Sequence, residues 1–378
     1  DSTRRDFFKT LGGGIVVLFL LEKAPAQEPS LGRQRGGGRG GAPDIGAWLH
    51  IGEDAQVTVY TGKVEIGQNI RTSLAQVVAE ELRASLGSIR LVMGDTQLTP
   101  FDAGTFGSQT TPVMARQLRR VAAAARELLI DLAAEAWKTD RALVTAADGR
   151  ITHTETKESL DFGKLTKGQK LTKAVSQNPP TTPVDEWKVA GRSAAKVNGP
   201  AIVTGQHKYA SELKLRGMLH GKVLRPPSFG ATLASIDTKQ AEDMPGVIAV
   251  RDGNFVGIAA PTEFEASRAL EAIKTEWLAS PQISDKVLFE HLKKPAGGAP
   301  SGRGGGGNRV GSMKEGLDAA DIRTQQAYTI AYIAHTPLEP RAAVAHWEDG
   351  KLTVWTGTQR PFGVRGELAG AFRISEDN

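Results

Sequence analysis

The sequence predicts a multidomain chain of mixed helix and strand, and three observations carry that reading. The chain has 378 residues, more than one ordinary domain holds. Its composition, 40% hydrophobic and 24% charged, is that of globular protein. Two glycine-rich tracts, residues 33–41 (RQRGGGRGG) and 295–307 (PAGGAPSGRGGGG), separate stretches with strand and helix patterning, as flexible linkers do. There are no cysteines, which excludes disulfides, thiolate zinc sites, cysteine nucleophiles and any iron–sulfur cluster held by this chain alone. A net charge of +5 from 47 basic and 42 acidic residues is too mild for a nucleic-acid footprint. The RGG tracts have no interleaved aromatics, so they read as solvated linkers and no nucleic acid is expected.

The elements follow in chain order. Ser2-Thr3-Arg4-Arg5-Asp6-Phe7-Phe8-Lys9 leads into a glycine-softened apolar run over 11–21, then Ala24-Pro25-Ala26. The run is too short to cross roughly 30 Å of hydrocarbon. A basic start, a short apolar centre and a small-x-small end describe an export signal, with cleavage after Ala26. The adjacent arginines resemble the twin-arginine type, which places the protein in the periplasm. Residues 1–26 are therefore expected to be a leader and 27–45 a linker. Residues 56–61 alternate as a half-buried strand does, and Leu74, Val77, Val78 and Leu82 fall at helical spacing. Ile89, Leu91 and Val92 make a short strand. Residues 112–137 form a long amphipathic helix burying Met114, Leu118, Val121, Leu128 and Leu132. Residues 143–183 carry no usable pattern. A second unit over 190–277 mixes strand and helix, with turns at Pro226-Pro227 and Pro245-Gly246 and a helix over 263–277. Strands are expected over 323–333 and 342–358, the latter folded at Asp349-Gly350. A helix begins at Pro361 and runs through Val364, Leu368 and Phe372. An α/β layer does not normally close on a helix with its next strand missing, so the sequence is expected to be a truncated chain.

Three loops carry candidate chemistry. Residues 62–72 (GKVEIGQNIRT) join a strand to a helix. Gly67 permits close backbone approach, Asn69 or Thr72 can cap the helix, and Gln68 adds an amide. Such a helix start binds anions, phosphates above all. A plain strand–turn–helix connection uses the same residues. Residues 104–112 (GTFGSQTTP) repeat the arrangement, with Pro112 in the first helical turn. Both loops lie where open α/β sheets bind ligands. Neither has a Walker lysine or G-x-G-x-x-G spacing, which disfavours nucleoside triphosphates and Rossmann-type dinucleotides. The third loop holds Gln359, which can equally be a structural amide. His335 and Glu339 are four apart but flanked by Pro337 and Pro340, which argue against a helix and a metal pair.

These motifs together resemble one family. GKVEIGQNIRTSLAQVVAEEL (62–82), MGDTQLTPFDAGTFGSQTTP (93–112), AHTPLEPRAAV (334–344) and Thr356-Gly357-Thr358-Gln359-Arg360-Pro361 are similar to the molybdopterin-binding large subunit of the xanthine dehydrogenase family. The isoquinoline 1-oxidoreductase β-subunit type is the branch that shares the twin-arginine start. Gly217-Met218-Leu219-His220-Gly221, Leu224-Arg225-Pro226-Pro227 and Met244-Pro245-Gly246-Val247 resemble its α/β-hammerhead domain.

The resemblance implies an α+β multidomain fold. It places a molybdopterin-binding segment over 46–185, a hammerhead-like domain over 186–290, a glycine-rich linker over 291–310 and the start of the main cofactor domain over 311–378. It implies a molybdenum–pyranopterin cofactor, often extended to the cytosine dinucleotide, and hydroxylation of an aromatic N-heterocycle or an aldehyde with water as oxygen donor. It implies 2Fe-2S clusters on a small partner subunit, consistent with the absence of cysteine, and an electron acceptor such as a cytochrome. By residue, it implies that Gly67, Gln68 and Asn69 contact the pterin and its phosphate, with Asn69 standing where the family has glycine. Gly107, Ser108, Gln109 and Thr110 form the second phosphate loop, and Gln359 lies near an oxygen ligand of molybdenum. The general base of the family matches no residue of these 378. The competing reading is a short, non-catalytic binding or assembly partner.

Overall fold

The computed structural model describes residues 13–20, 45–175, 179–294 and 310–378. The chain forms two compact units, Asp1–Leu213 with Pro340–Asn378, and Lys214–Glu339. Mixed helix and several small sheets bear out the α+β class at that level.

The first unit is built on a five-stranded sheet. Its strands are β1 (Gly14–Leu20), β2 (Ile45–Ile51), β3 (Val57–Thr61), β4 (Ile89–Met93) and β8 (Lys170–Val175), in the order β4-β3-β2-β1-β8. β1 pairs antiparallel with β2 and parallel with β8, while β3 and β4 are parallel and joined by helix α1 (Ile70–Leu82). A π-helical turn (Thr110–Ala115) runs into helix α2 (Arg116–Trp137). α1 and α2 cover one face of the sheet. Leu74, Val78 and Leu82 of α1 and Leu118, Val121 and Leu129 of α2 meet Ile15, Val17, Leu49, Ile51, Val57 and Val59 in one core. Each buried branched side chain stabilises the unit by about 2 kcal/mol. On the other face Trp48 stacks on Tyr60 at 3.6 Å beside Val16, and burial raises the Tyr60 pKa against the lowering effect of Arg90.

The unpatterned stretch 143–183 holds a second small sheet. It comprises β5 (Val144–Ala147), β6 (Arg150–His153) and β7 (Ser159–Asp161), followed by a short helix α3 (Phe162–Thr166) capped by Asp161. Residues 186–213 belong with the first unit, not with the segment that follows. Glu80 of α1 accepts the backbone N–H groups of Lys188, Val189 and Ala190, Gln76 donates to the carbonyls of Val189 and Arg192, and Thr72 accepts from Val197. A short helix, α4 (Gly199–Val203), closes this stretch. Glu81 is also fully buried and ties Arg119, Arg126 and Thr182 together.

The second unit contains β9 (His220–Val223), β10 (Thr232–Asp237), α5 (Lys239–Glu242), β11 (Ile248–Asp252), β12 (Phe255–Ala260), α6 (Glu263–Ala272) and β13 (Lys274–Leu278). It carries a β11-β12-β9 sheet and a β10-β13 pair around Val256, Ile258, Ala266 and Ala269. Short helices α7 (Leu288–Lys293) and α8 (Met313–Asp318) follow. The first unit closes with the hairpin β14 (Ala343–Glu348) and β15 (Lys351–Thr356), turned at Asp349 and Gly350 with positive φ at both, and helix α9 (Pro361–Phe372).

Four expectations change. The helix over 263–277 ends at Ala272, because Ile273 is extended and Thr275 and Trp277 alternate as a strand opposite β10. Residues 323–333 alternate but form no ladder, since no strand lies beside them among the described residues, and Tyr328, Ile330 and Tyr332 are exposed. In α2 the buried line passes through Leu129 and Ala133, leaving Leu128 and Leu132 half-buried. The apolar run expected as the centre of a removable leader is a paired strand, β1, in the interior of the sheet. Arg4, Arg5, Ala26 and both glycine-rich tracts lie outside the described residues. No described helix is long and apolar enough to cross a membrane.

Candidate functional site

The three candidate loops all belong to the first unit, and their bases are joined. The first loop, residues 62–69, leaves β3 through Gly62, where a Cβ would stand 2.5 Å from that of Asp102 and 2.6 Å from the Pro100 carbonyl oxygen. Only glycine fits this approach. Next, Lys63 turns inward. The residue is 8% exposed, and its ammonium donates to the Gly104 carbonyl at 2.6 Å and lies 2.9 Å from Asp102 Oδ1. Val64 N–H donates to Thr105 Oγ1 at 2.9 Å. Sequence reasoning passed over Lys63 as part of a loop. The available signal was a lysine directly after an apolar strand, with an aspartate in the facing loop.

Thr105 is the junction of all three loops. Its N–H donates to the Gln359 carbonyl at 2.8 Å, and Gln359 Nε2 donates back to the Thr105 carbonyl at 2.8 Å. The third loop, residues 357–360, is thereby zipped onto the second. α9 docks alongside, with Phe362 edge-on to Phe101 at 5.3 Å and Arg365 donating to the Thr96 carbonyl at 3.2 Å.

The tip of the first loop differs from expectation. Asn69 and Thr72 do not cap α1; Asn69 makes no capping bond and Thr72 accepts from Val197. Glu65 takes the role. One oxygen accepts from the N–H groups of Gly67 at 2.8 Å and Asn69 at 3.0 Å, the other from Arg71 N–H at 3.0 Å. A carboxylate at a helix start is stabilised by the same donors that would hold a phosphate. Gln68 folds onto its own loop, accepting from Ile66 N–H at 2.7 Å and donating to the Val64 carbonyl at 3.1 Å. Asn69 sits at φ 65, ψ 26. Asparagine tolerates this left-handed conformation better than other non-glycine residues, so the backbone shape a glycine would give is kept. Behind the loop, burial lowers the Arg71 pKa against the raising effect of Glu65, and its guanidinium donates to the Leu91 carbonyl.

The second loop keeps its donors open. Gly107 and Ser108 both have positive φ, 63° and 57°. Their N–H groups have no acceptor among the described residues, and Gln109 Nε2 donates to the Gly107 carbonyl at 3.3 Å. Thr110 then opens the π-helical turn, whose first N–H groups are unpaired by geometry. Ser108 at positive φ followed by right-handed Gln109 (φ -89, ψ -11) alternates in hand at a helix start, the backbone pattern of an anion-binding concavity. A Cβ on Gly67 would meet nothing within 4 Å, and one on Gly107 only Gln109 at 3.8 Å, so both positions leave space above the backbone. No direct hydrogen bond links residues 67–69 to 107–110. Among the described residues no three His, Asp or Glu side chains cluster to hold a metal ion.

Comparison with known proteins identifies the family. Residues 14–212 match a family profile described as a molybdopterin cofactor-binding domain, and residues 304–378 match a second profile of the same description. A nicotinate dehydrogenase subunit from Pseudomonas putida is 30% identical over 343 residues, covering 86% of this chain and 28% of that protein. A membrane-bound aldehyde dehydrogenase of Gluconacetobacter polyoxogenes, whose name carries pyrroloquinoline-quinone, is 26% identical over 99% of this chain and 50% of its own length. The β-subunit of isoquinoline 1-oxidoreductase from Brevundimonas diminuta is 25% identical over 87% of this chain and 48% of its own. The chain thus spans between 28% and 50% of the length of these relatives.

Proposed function

The chain belongs to the molybdopterin cofactor-binding domain family, and on that premise we propose that its first unit is the cofactor-holding part of the large subunit of an exported molybdenum hydroxylase. The observation that carries this reading is the reciprocal Thr105–Gln359 pair, which sets the open cradle of 107–110 beside the amide of Gln359. The cradle fits a phosphate: its amides are unpartnered and its glycine leaves room. Gly107, Ser108, Gln109 and Thr110 would hold the phosphate of a molybdenum–pyranopterin, in the plain or cytosine dinucleotide form. Gly67, Gln68 and Asn69 would hold the pterin, with Gln68 and Glu65 fixing the loop's shape. Gln359 Nε2 spends one of its two N–H groups on the Thr105 carbonyl, so its second N–H and its amide oxygen are left to face the ligand. When bound, the cofactor supplies hydroxylation of an electron-poor carbon with water as oxygen donor.

The substrates in this proposal are aromatic N-heterocycles or aldehydes. Electrons would leave through a small subunit carrying 2Fe-2S clusters, since this chain has no cysteine to ligate them, and then to an acceptor such as a cytochrome. The second unit would be the hammerhead-like domain.

The test is molybdenum and pterin analysis of the purified full-length protein. Gly107→Val forces a β-branched residue to φ 63 in the cradle, and Gly149→Val does the same at φ 71 in the β5–β6 turn. The backbone penalty is matched, so only the cradle variant should lose molybdenum and pterin together. Equal cofactor content in the two variants refutes the assignment.

A further inference from the structure

We propose that residues 14–20 are a permanent strand of the folded domain, so that the mature protein keeps the apolar run that its sequence presents as the core of a removable export signal. The run lies inside the sheet, with a partner on each side. Ile15 to Leu20 pair with Ile51 to Ile45 on β2, and Gly14 to Phe19 pair with Lys170 to Val175 on β8. Among the described residues β8 has no other neighbour in this sheet. Removing β1 would strand β8 and expose two unpaired edges.

The burial is equally specific. Ile15 and Val17 are 1% and 0% exposed in the main core, and Val16 is 7% exposed against Trp48 and Tyr60 on the opposite face. Both faces of the strand are therefore used, as an interior strand requires. A signal core needs only hydrophobicity, with no particular residue at any position.

Gly14 separates the two readings. It sits at φ 130, its N–H donates to the Gln169 carbonyl at 2.8 Å, and a Cβ there would overlap the Ile51 carbonyl and stand 2.7 Å from His50 Nε2. His50 Nε2 also lies 3.2 Å from the Gly13 carbonyl. Glycine weakens an apolar signal but is what this strand end demands. The family match likewise begins at residue 14. The consequence is that a complete fold and the loss of residues 1–26 exclude one another. If the Arg4-Arg5 pair directs export, it does so as part of a leader that remains attached.

The first test is intact mass and N-terminal sequencing of the full-length protein, recovered folded from cytoplasmic and envelope fractions of an exporting host. Residues 14–20 are expected in every folded molecule, wherever it is found. Folded protein beginning at Gln27 overturns the proposal. The second test removes export from the question by working in an Arg4→Lys, Arg5→Lys background. Gly14→Leu makes a better signal core and a worse strand. The proposal expects melting to fall by about 5 °C or more, or folded protein to be lost. Should Gly14→Leu yield no folded protein, Val17→Ala, which removes two buried methyl groups, is expected to fold and to melt several degrees lower. Unchanged melting in either variant shows the run to be a leader only.

Discussion

Lys63 is the side chain whose removal should most directly separate the first two loops. Its ammonium and the Asp102 carboxylate are 2.9 Å apart with side-chain exposures of 10% and 11%. Lys63→Met keeps the length and the apolar stem but deletes the charge and the 2.6 Å bond to the Gly104 carbonyl. Removing one member of a buried pair costs about 3–5 kcal/mol. Asp102 keeps one donor, the Gly104 N–H at 2.8 Å, which places the expected loss near the lower end, about 3 kcal/mol. In Asp102→Asn with Lys63→Met no charge is left buried alone, so the double variant should recover at least about 1 kcal/mol relative to the sum of the two. Urea unfolding of the four proteins gives both quantities from the midpoints at constant slope. A local readout accompanies it: exchange of the Thr105 amide, held by the Gln359 carbonyl, should quicken in Lys63→Met. A cost below about 1 kcal/mol, or strictly additive single changes, would refute the view that this pair clamps the loops.

Other perturbations read other parts of the same unit. Gln359→Ala deletes one hydrogen bond to the Thr105 carbonyl while the backbone bond remains; about 1 kcal/mol should be lost, with molybdenum content of the full-length protein near normal and turnover per bound molybdenum reduced. Gln68→Ala frees Ile66 N–H and the Val64 carbonyl, and metal analysis should show lower cofactor content. Glu81→Ala leaves Arg119, Arg126 and Thr182 without their shared acceptor, and calorimetry should show a loss of about 3–5 kcal/mol. In the second unit, a hydrogen bond from Lys222 holds the Glu263 carboxyl below its ordinary pKa. Its contribution to stability is thus present above the unfolded value and is lost as pH falls through the folded one. Carbon-13 titration of Lys222→Met should return the Glu263 midpoint to the ordinary glutamate range.

Periodicity revealed the elements whose apolar residues face a single layer. β3, β4 and α1 alternate or recur at helical spacing because one side meets the core and the other does not. The sheet over 144–161 escaped notice because its strands are four, four and three residues long, below the length at which alternation registers. β1 carries two readings for a complementary reason. A strand buried on both faces is a continuous apolar run, and behind two arginines such a run has the same signature as a signal core. The site was legible as three loops but not as a clamp. Lys63–Asp102 and Thr105–Gln359 join residues 39 and 254 positions apart, and no local pattern encodes such pairs. Glu65 was also missed, because a side chain reaching forward to a helix start resembles any acidic loop residue until the backbone curls around it.

The two helix starts, alike in sequence, now have different parts to play. Glu65 already neutralises the start of α1 through Gly67, Asn69 and Arg71. A phosphate arriving there would displace a carboxylate from three hydrogen bonds and sit near its charge, so that end is a preformed shape and not an open anion site. The 107–110 loop has no such internal anion, and its Gly107 and Ser108 amides point to no acceptor among the described residues. An anion therefore gains most at the second loop. Glu65→Gln separates the two cases. The neutral amide accepts less strongly at a helix start, so the first loop should loosen, with faster exchange of the Gly67, Asn69 and Arg71 amides. If instead Glu65→Gln creates tighter binding of inorganic phosphate, measured by phosphorus-31 line broadening, the carboxylate is a competitor at a true phosphate site and the first loop, not the second, holds the anion.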